Sequence, residues 1–380
     1  MKFTYMKISE FATVITGGTP KTDVSEYWTN GNIPWLPSGE CKDCEIFNAP
    51  KYITQAGLDS SAAKLLPKNT VLIALTGTTA GKTGILRIES TANQSVTGIL
   101  PNDTCIPEYL FYFLQHRRDK TLMDCYGGAQ PHISQEYVKN IVVPIPSITE
   151  QKAIVKQIEQ INIMIQETQN RLNWFDELVK SRFVELFENG DYPVIRLGDA
   201  CTKITDGTHK TPTYLESGIT FISAKNIVNG ELDFSDVKHI SEEEYAEIQK
   251  RCQTEIGDIL LSKSGSLGSP VIVKTTQKLG LFESLAVIKY DRNRLLPEFL
   301  CEQLKTDRIQ RQFKVGTKGV AIKHLHLGVI ADTGVIVPSL EEQKQFAAFV
   351  EQTDKSKLAT TETSKYYEEL KSALMNKYFN

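Results

Sequence analysis

The chain lacks any run of 18 apolar residues and any N-terminal export pattern. A helical membrane span is therefore not expected, and the expected location is the cytoplasm. Its cysteines number seven, an odd count in a chain without an export signal, which points to free thiols rather than a disulfide framework. Net charge is also scarce, at −3. A stand-alone nucleic-acid binder would show a broad basic excess, so any such surface here must be local or completed by partners. Enzyme signatures are missing as well. There is no Asn-Pro-Pro-aromatic methyltransferase motif, no glycine-rich S-adenosylmethionine loop, no nuclease carboxylate–lysine set and no nucleophile elbow. The expectation is a chain without chemistry of its own.

What is present begins with one stretch, Ser147 to Glu188, which reads as a single helix. Near-neutral or apolar residues recur at alternating steps of four and three: Ile154, Ile158, Ile161, Ile165, Thr168, Leu172, Phe175, Val179, Arg182 and Leu186. That spacing is a coiled-coil seam rather than a broad globular face. Ser147 and Glu150 form a capping box after Pro146, and Gly190 is placed for a left-handed C-terminal cap. About 40 residues at 1.5 Å each make a rod of roughly 60 Å.

The pattern occurs twice. Pro338-Ser339-Leu340-Glu341-Glu342-Gln343 repeats Pro146-Ser147-Ile148-Thr149-Glu150-Gln151. The second seam includes Phe346, Val350, Tyr367 and Leu374 but is half polar, so an isolated helix would be marginal and should lie against the first. The globular segments repeat too. Lys7–Thr22 aligns with Arg196–Thr211 at an offset of 189, read without a gap, so that Asp206 answers Gly17 and His209 answers Pro20. Ile33–Leu36 answers Ile219–Ile222, and Val71–Gly77 answers Ile259–Gly265. Pro107–Leu110 answers Pro297–Leu300, and Ile141–Pro144 answers Val335–Pro338. Each half is one mixed domain of short strands and few helices, followed by one rod. The expected boundaries are 1–146, 147–190, 191–338 and 339–380. Loops diverge more than strands, and divergent loops on a shared frame are where two copies read different things.

Several motifs carry both a sharp and a plain reading. Thr76–Thr83 nearly matches a phosphate-cradling loop but has Thr where Gly is required, and Ser264–Ser269 has no lysine. A turn whose amides and hydroxyls face a phosphate backbone competes with a plain structural turn. Cys41-Lys42-Asp43-Cys44 is half a zinc site without its second pair, and His324-Leu325-His326 has no acid or thiol clustered nearby. Lys305, Arg308, Arg311, Lys314, Lys318 and Lys323 form the strongest local charge signal, in a helix running into a Gly-bearing loop. A solvated basic face competes there with phosphate contact.

Two variable domains, each followed by a long helix that starts Pro-Ser-x-x-Glu-Gln, resemble the specificity subunit of a type I restriction–modification enzyme. The resemblance covers about Met6 to Phe379. It implies an α+β architecture: two mixed target recognition domains related by pseudo-two-fold symmetry, separated by a long antiparallel two-helix coiled coil. It further implies that each domain reads half of a bipartite, asymmetric DNA target. Two modification subunits with S-adenosylmethionine and two ATP- and Mg-dependent motor–nuclease subunits would act as partners. No cofactor or metal is expected in this chain. Candidate DNA-binding residues in the first half are Thr19, Lys21, Ser38, Gly77, Lys82, Arg117, Arg118, Gln130 and His132. In the second half they are His209, Lys210, Lys225, Asn226, Lys263 and Ser264, followed by Arg308, Arg311, Lys314, Lys318 and Lys323. The spacer and partner interface is expected at Ile154, Ile158, Ile161, Ile165, Leu172, Phe175, Val179, Leu186, Phe346, Val350, Tyr367 and Leu374. The competing reading is a non-enzymatic scaffold whose two modules bind proteins.

Overall fold

The computed structural model describes residues 2–125, 132–317 and 324–380. The chain forms two compact units, Met1–Thr168 with Thr363–Asn380, and Gln169–Glu362. The long helices Ile148–Phe183 and Leu340–Phe379 each start in one unit and end in the other.

In the first unit five strands lie in the order Val14–Thr16, Val96–Ile99, Val71–Ala74, Thr83–Leu86, Cys44–Ile46. A second sheet holds Lys51–Ile53, Ile33–Leu36 and Thr91–Ala92, the last two parallel. Val71–Ala74 is an unbroken apolar run buried on both faces, as a central strand requires. The helix Pro107–His116 starts with Pro at its first turn, where a missing N–H costs nothing. It buries Tyr109, Leu110 and Phe113, and the Tyr109 hydroxyl donates to Pro144 O at 2.6 Å. Onto this core pack Ile154, Val155 and Ile158 from the start of one long helix, and Met375, Tyr378 and Phe379 from the end of the other.

The second unit repeats the pairing scheme. Cys201–Asp206, Leu285–Tyr290, Ile259–Ser262 and Pro270–Ile272 form its larger sheet. Lys238–Ile240, Ile219–Ile222 and Leu279–Leu281 form the smaller, again with one parallel pair. A short antiparallel pair closes each unit, Thr4–Lys7 with Val142–Ile145 and Val194–Arg196 with Gly334–Ile336. Here the end of the first long helix meets the start of the second. Phe183, Phe187, Phe299 and Phe346 pack mostly edge to face with centroids 5.0–6.3 Å apart.

One expectation fails by a single residue. Cys201 pairs with Tyr290 but Lys203 pairs with Lys289, so a bulge inserts one residue into that strand. Beyond it the gapless alignment is out of step. Thr16 and Asp206 occupy the same place, opposite Thr97 and Ala286. Gly17 N donates to Val96 O and Gly207 N to Leu285 O. Gly18 N and Thr208 N donate to Ala92 O and Leu281 O. His209 therefore stands where Thr19 stands, not Pro20, and Asp206 replaces Thr16, not Gly17. Both glycines are demanded by close approach: a Cβ on Gly17 or Gly207 would lie about 2.2 or 2.1 Å from a backbone oxygen.

The capping box forms as expected. Ser147 Oγ donates to Glu150 Oε2 at 2.8 Å, and Ser339 Oγ to Glu342 Oε2 at 2.7 Å. The far end of the first helix differs. It widens into a π-turn at Val184–Glu188, and Gly190 has no left-handed conformation. Phe183, just before the turn, and Phe187, within it, are buried, while Arg182 and Leu186 of the expected seam are half-buried. Elsewhere burial follows the seam: Ile154, Ile158, Ile161, Val179, Phe346 and Val350 are buried, and Ile165, Leu172, Phe175, Tyr367 and Leu374 half-buried. The seam threonines tolerate burial because their hydroxyls bond one turn back. Thr168 reaches Ile165 O at 2.7 Å, Thr353 Phe349 O at 2.9 Å and Thr360 Ser356 O at 2.9 Å.

Candidate nucleic-acid interface

In the first unit the strand Val71–Ala74 ends in the turn Gly77–Thr79. Gly77 has φ 76° and no atom within 4 Å of a would-be Cβ, so the space beside its Cα is open. Thr76 pairs with His132, and Ile133 N donates to Leu75 O at 2.9 Å. Arg118 lies against Gly81, its Nε donating to Ala80 O at 3.4 Å. The fold thus joins two stretches separated by some fifty residues of sequence, the glycine turn and the basic segment. Lys82 is half-buried beside this turn and Ser38 sits in a neighbouring 3-10 turn. Lys21 is exposed, and the Thr19 hydroxyl donates to Gln94 Oε1. Arg117 is used inside the unit, bonded to the Tyr137 hydroxyl at 3.1 Å and Asp124 at 3.5 Å.

The second unit joins the corresponding pieces. Gly265, φ 70°, is likewise open. Leu325 N donates to Lys263 O at 2.8 Å, and Gln310 Nε2 to Gly268 O at 2.8 Å. The helix Asp307–Gly316 buries Ile309 and Phe313, exposes Arg311 and Lys314, and half-buries Arg308. An open groove of about 670 Å³ runs beside the turn, lined by Ser223, Lys225, Asn229, Ser264, Ser266 and Ser284 among others. Ala224, Ile227, Val228 and Phe282 supply an apolar part of its wall, and the serines, Lys225 and Asn229 supply groups that hydrogen-bond phosphates and base edges alike. Gln130, Lys318 and Lys323 lie outside the described residues.

Two of the second unit's expected contact residues are, like Arg117 in the first, occupied internally. Asn226 is buried, accepting from Ser223 N at 3.0 Å and donating to Asp233 O and Asp236 O. Lys263 is buried with its ammonium on Asp206, which Arg251 also grips. Burial opposes ionisation of Asp206, but the bonds from Lys263 and Arg251 outweigh it and hold the carboxyl below its usual range. A basic residue beside a glycine turn looks like a phosphate ligand in sequence. Its acid partner, 57 residues away, is visible only in the fold.

His209 is exposed, and each ring nitrogen faces a carboxylate: Nε2 to Asp206 at 3.3 Å, Nδ1 to Glu283 at 2.6 Å. Lys210 follows, exposed. Sequence reading missed Gln94, Arg251 and Glu283. The first and last were findable, since Asn93-Gln94-Ser95-Val96 and Phe282-Glu283-Ser284-Leu285 share a turn that ends on the same serine.

The Cys41 thiol is pushed up to about 12 by burial, which makes it a poor metal ligand near neutrality. Among the described residues no group of three or more His, Cys, Asp or Glu could hold a metal ion. No helix there is long and apolar enough to cross a membrane.

The family model for the type I restriction modification DNA specificity domain matches residues 1–173 and again 188–371. The chain belongs to that family. The MjaIX specificity subunit of Methanocaldococcus jannaschii is 25% identical over 375 residues, covering 91% of this chain and 85% of the relative. A solved chain from work on complex assembly and conformational transition of the type I R-M system superimposes with TM-score 0.63 at 17% identity, covering 100% and 98% of the two chains. The S subunit from M. genitalium gives 0.50 at 16% identity, covering 100% and 96%. This chain is thus a type I specificity subunit, and in such systems catalysis rests on other subunits. Membership brings DNA and the modification and restriction subunits as its partners.

Proposed function

We propose that this specificity subunit reads a bipartite, asymmetric DNA target, one half with each unit, and directs adenine methylation and cleavage by its partners. The observation that carries this reading is the duplicated sheet frame with unlike loops: the paired strands around each glycine turn are shared while the groups beside the turn differ. We assign residues 1–146 and 191–338 as the recognition domains, with 147–190 and 339–380 as spacer helices that set the gap between half-sites. Phosphate contacts fall to Lys21, Lys82, Arg118, Lys210, Lys225, Arg308, Arg311 and Lys314. Contacts to base edges or sugars fall to Thr19, Ser38, Gly77, His132, His209 and Ser264. Arg117, Asn226 and Lys263 support these from inside.

The weak net charge means that the subunit alone holds DNA loosely, since phosphate neutralisation supplies most of the affinity. Two modification subunits carrying S-adenosylmethionine, and two motor–nuclease subunits using ATP and Mg, supply the rest of the grip and the chemistry, in the cytoplasm. Side chains left open on the long helices, Trp174 and Tyr366 at 61% exposure and Leu358 at 64%, suit partner helices. The test is replacement of residues 1–146 by the matching segment of a relative with a different target. One half of the methylated sequence changes and the other stays. A change in both halves, or in neither, contradicts the assignment.

A further inference from the structure

Once the bulge is taken into account, the two units can be compared residue for residue at one exposed spot. In the first unit Thr19 donates to Gln94. In the second, the same two places hold His209 and Glu283, joined at 2.6 Å. The backbone around the spot is the same in both. Leu75 N donates to Ser95 O and Lys263 N to Ser284 O, so the same turn carries Gln94 and Glu283 beside the same glycine-turn strand. What changes is chemistry. The first unit has a neutral pair, with Thr16 and Leu75 behind it. The second has a carboxylate held by an imidazole, with Asp206, Lys263 and Arg251 behind that.

Glu283 keeps 34% of its side chain exposed, so its carboxylate is in reach of a ligand as well as of His209. On a surface that faces phosphates, an exposed carboxylate repels. A hydrogen bond from a base would offset that repulsion. Carboxylates accept from the cytosine N4 amine in the major groove, and carboxamides pair with the N6 and N7 edge of adenine. Adenine also offers an amine, but its neighbouring N7 is an acceptor, which a carboxylate cannot answer.

We propose that Gln94 and Glu283 are equivalent specificity-determining residues, Gln94 reading an adenine in the first half-site and Glu283 a cytosine in the second. His209 positions the Glu283 carboxylate, as Thr19 positions the Gln94 amide. The proposal rests on the reading of DNA by both units.

The experiment uses the assembled methyltransferase with wild-type, Glu283→Gln and Gln94→Glu subunits. Binding is measured on a duplex panel in which each base pair of the wild-type target is varied singly. Glu283→Gln lowers binding to the original target about tenfold or more and narrows the loss on an adenine substitution at one position of the second half only. Gln94→Glu does the converse in the first half. Unchanged preference in both variants overturns the proposal, as does a uniform loss across the panel, which marks a structural or phosphate role. If the wild-type complex shows no two-part preference at all, the failure lies in the functional reading beneath it.

Discussion

Gln151 is fully buried and its Oε1 accepts the Ile106 amide at 2.9 Å, while its Nε2 donates to Thr104 O and Pro146 O at 2.9 and 3.0 Å. Gln343 does the same in the other unit, with Leu296 N, Arg294 O and Pro338 O. The Glu-Gln of each helix start thus does two jobs. The glutamate caps its own helix, and the glutamine bolts that helix to the loop before the Pro-initiated helix. Replacing Gln343 by Ala strands buried polar groups and costs about 2–4 kcal/mol. Chemical denaturation of the full chain measures it; a loss under about 0.5 kcal/mol contradicts the bolt.

The Asp206–Lys263 pair is predicted to follow the arithmetic of buried ions. Either Asp206→Thr or Lys263→Leu alone leaves a buried charge or acceptor unmatched and costs about 3 kcal/mol or more. The double variant copies the first unit, which has Thr16 and Leu75 there, and recovers most of the loss. Additive losses in a double-mutant cycle would show the two are not coupled. The pH dependence has a definite sign. The folded carboxyl titrates below its unfolded value of about 3.9, so its contribution is present above that pH and is lost as pH falls through the folded value. The part of the stability gap between wild type and Asp206→Asn that comes from this carboxyl therefore shrinks below about pH 4. A gap that grows as pH falls below about 4 contradicts the pairing.

Arg311 and Lys314 stand exposed on the helix Asp307–Gly316. With both replaced by alanine, the assembled complex binds DNA more weakly on all sequences and its salt slope falls by about two. An unaltered slope places this helix face off the DNA.

The sequence made some elements legible and hid others for physical reasons. The helix starts, the Pro-initiated helices and the strand-to-glycine-turn units follow from local chemistry, and each is read from a few adjacent residues. The bulge between Cys201 and Lys203 has no local signature, since Cys, Thr and Lys are all acceptable in a regular strand. The one-residue slip was therefore invisible, and with it the match of Thr19 to His209. Lys263 and Asn226 read as surface contacts because their partners are remote or lie in the backbone of a loop. The seam is legible up to Val179; beyond it Phe183 and Phe187 take over, packing on Phe299 and Phe346, which are remote in sequence.

The account depends above all on the long helices acting as a ruler between two reading units. Insertion of four residues after Gln169, about one helical turn, followed by sequencing of the methylated sites in cells that carry the partner subunits, tests it most directly. The account predicts that both half-sites keep their bases and the gap between them grows. An unchanged gap with full methylation, or altered bases in either half, would contradict it.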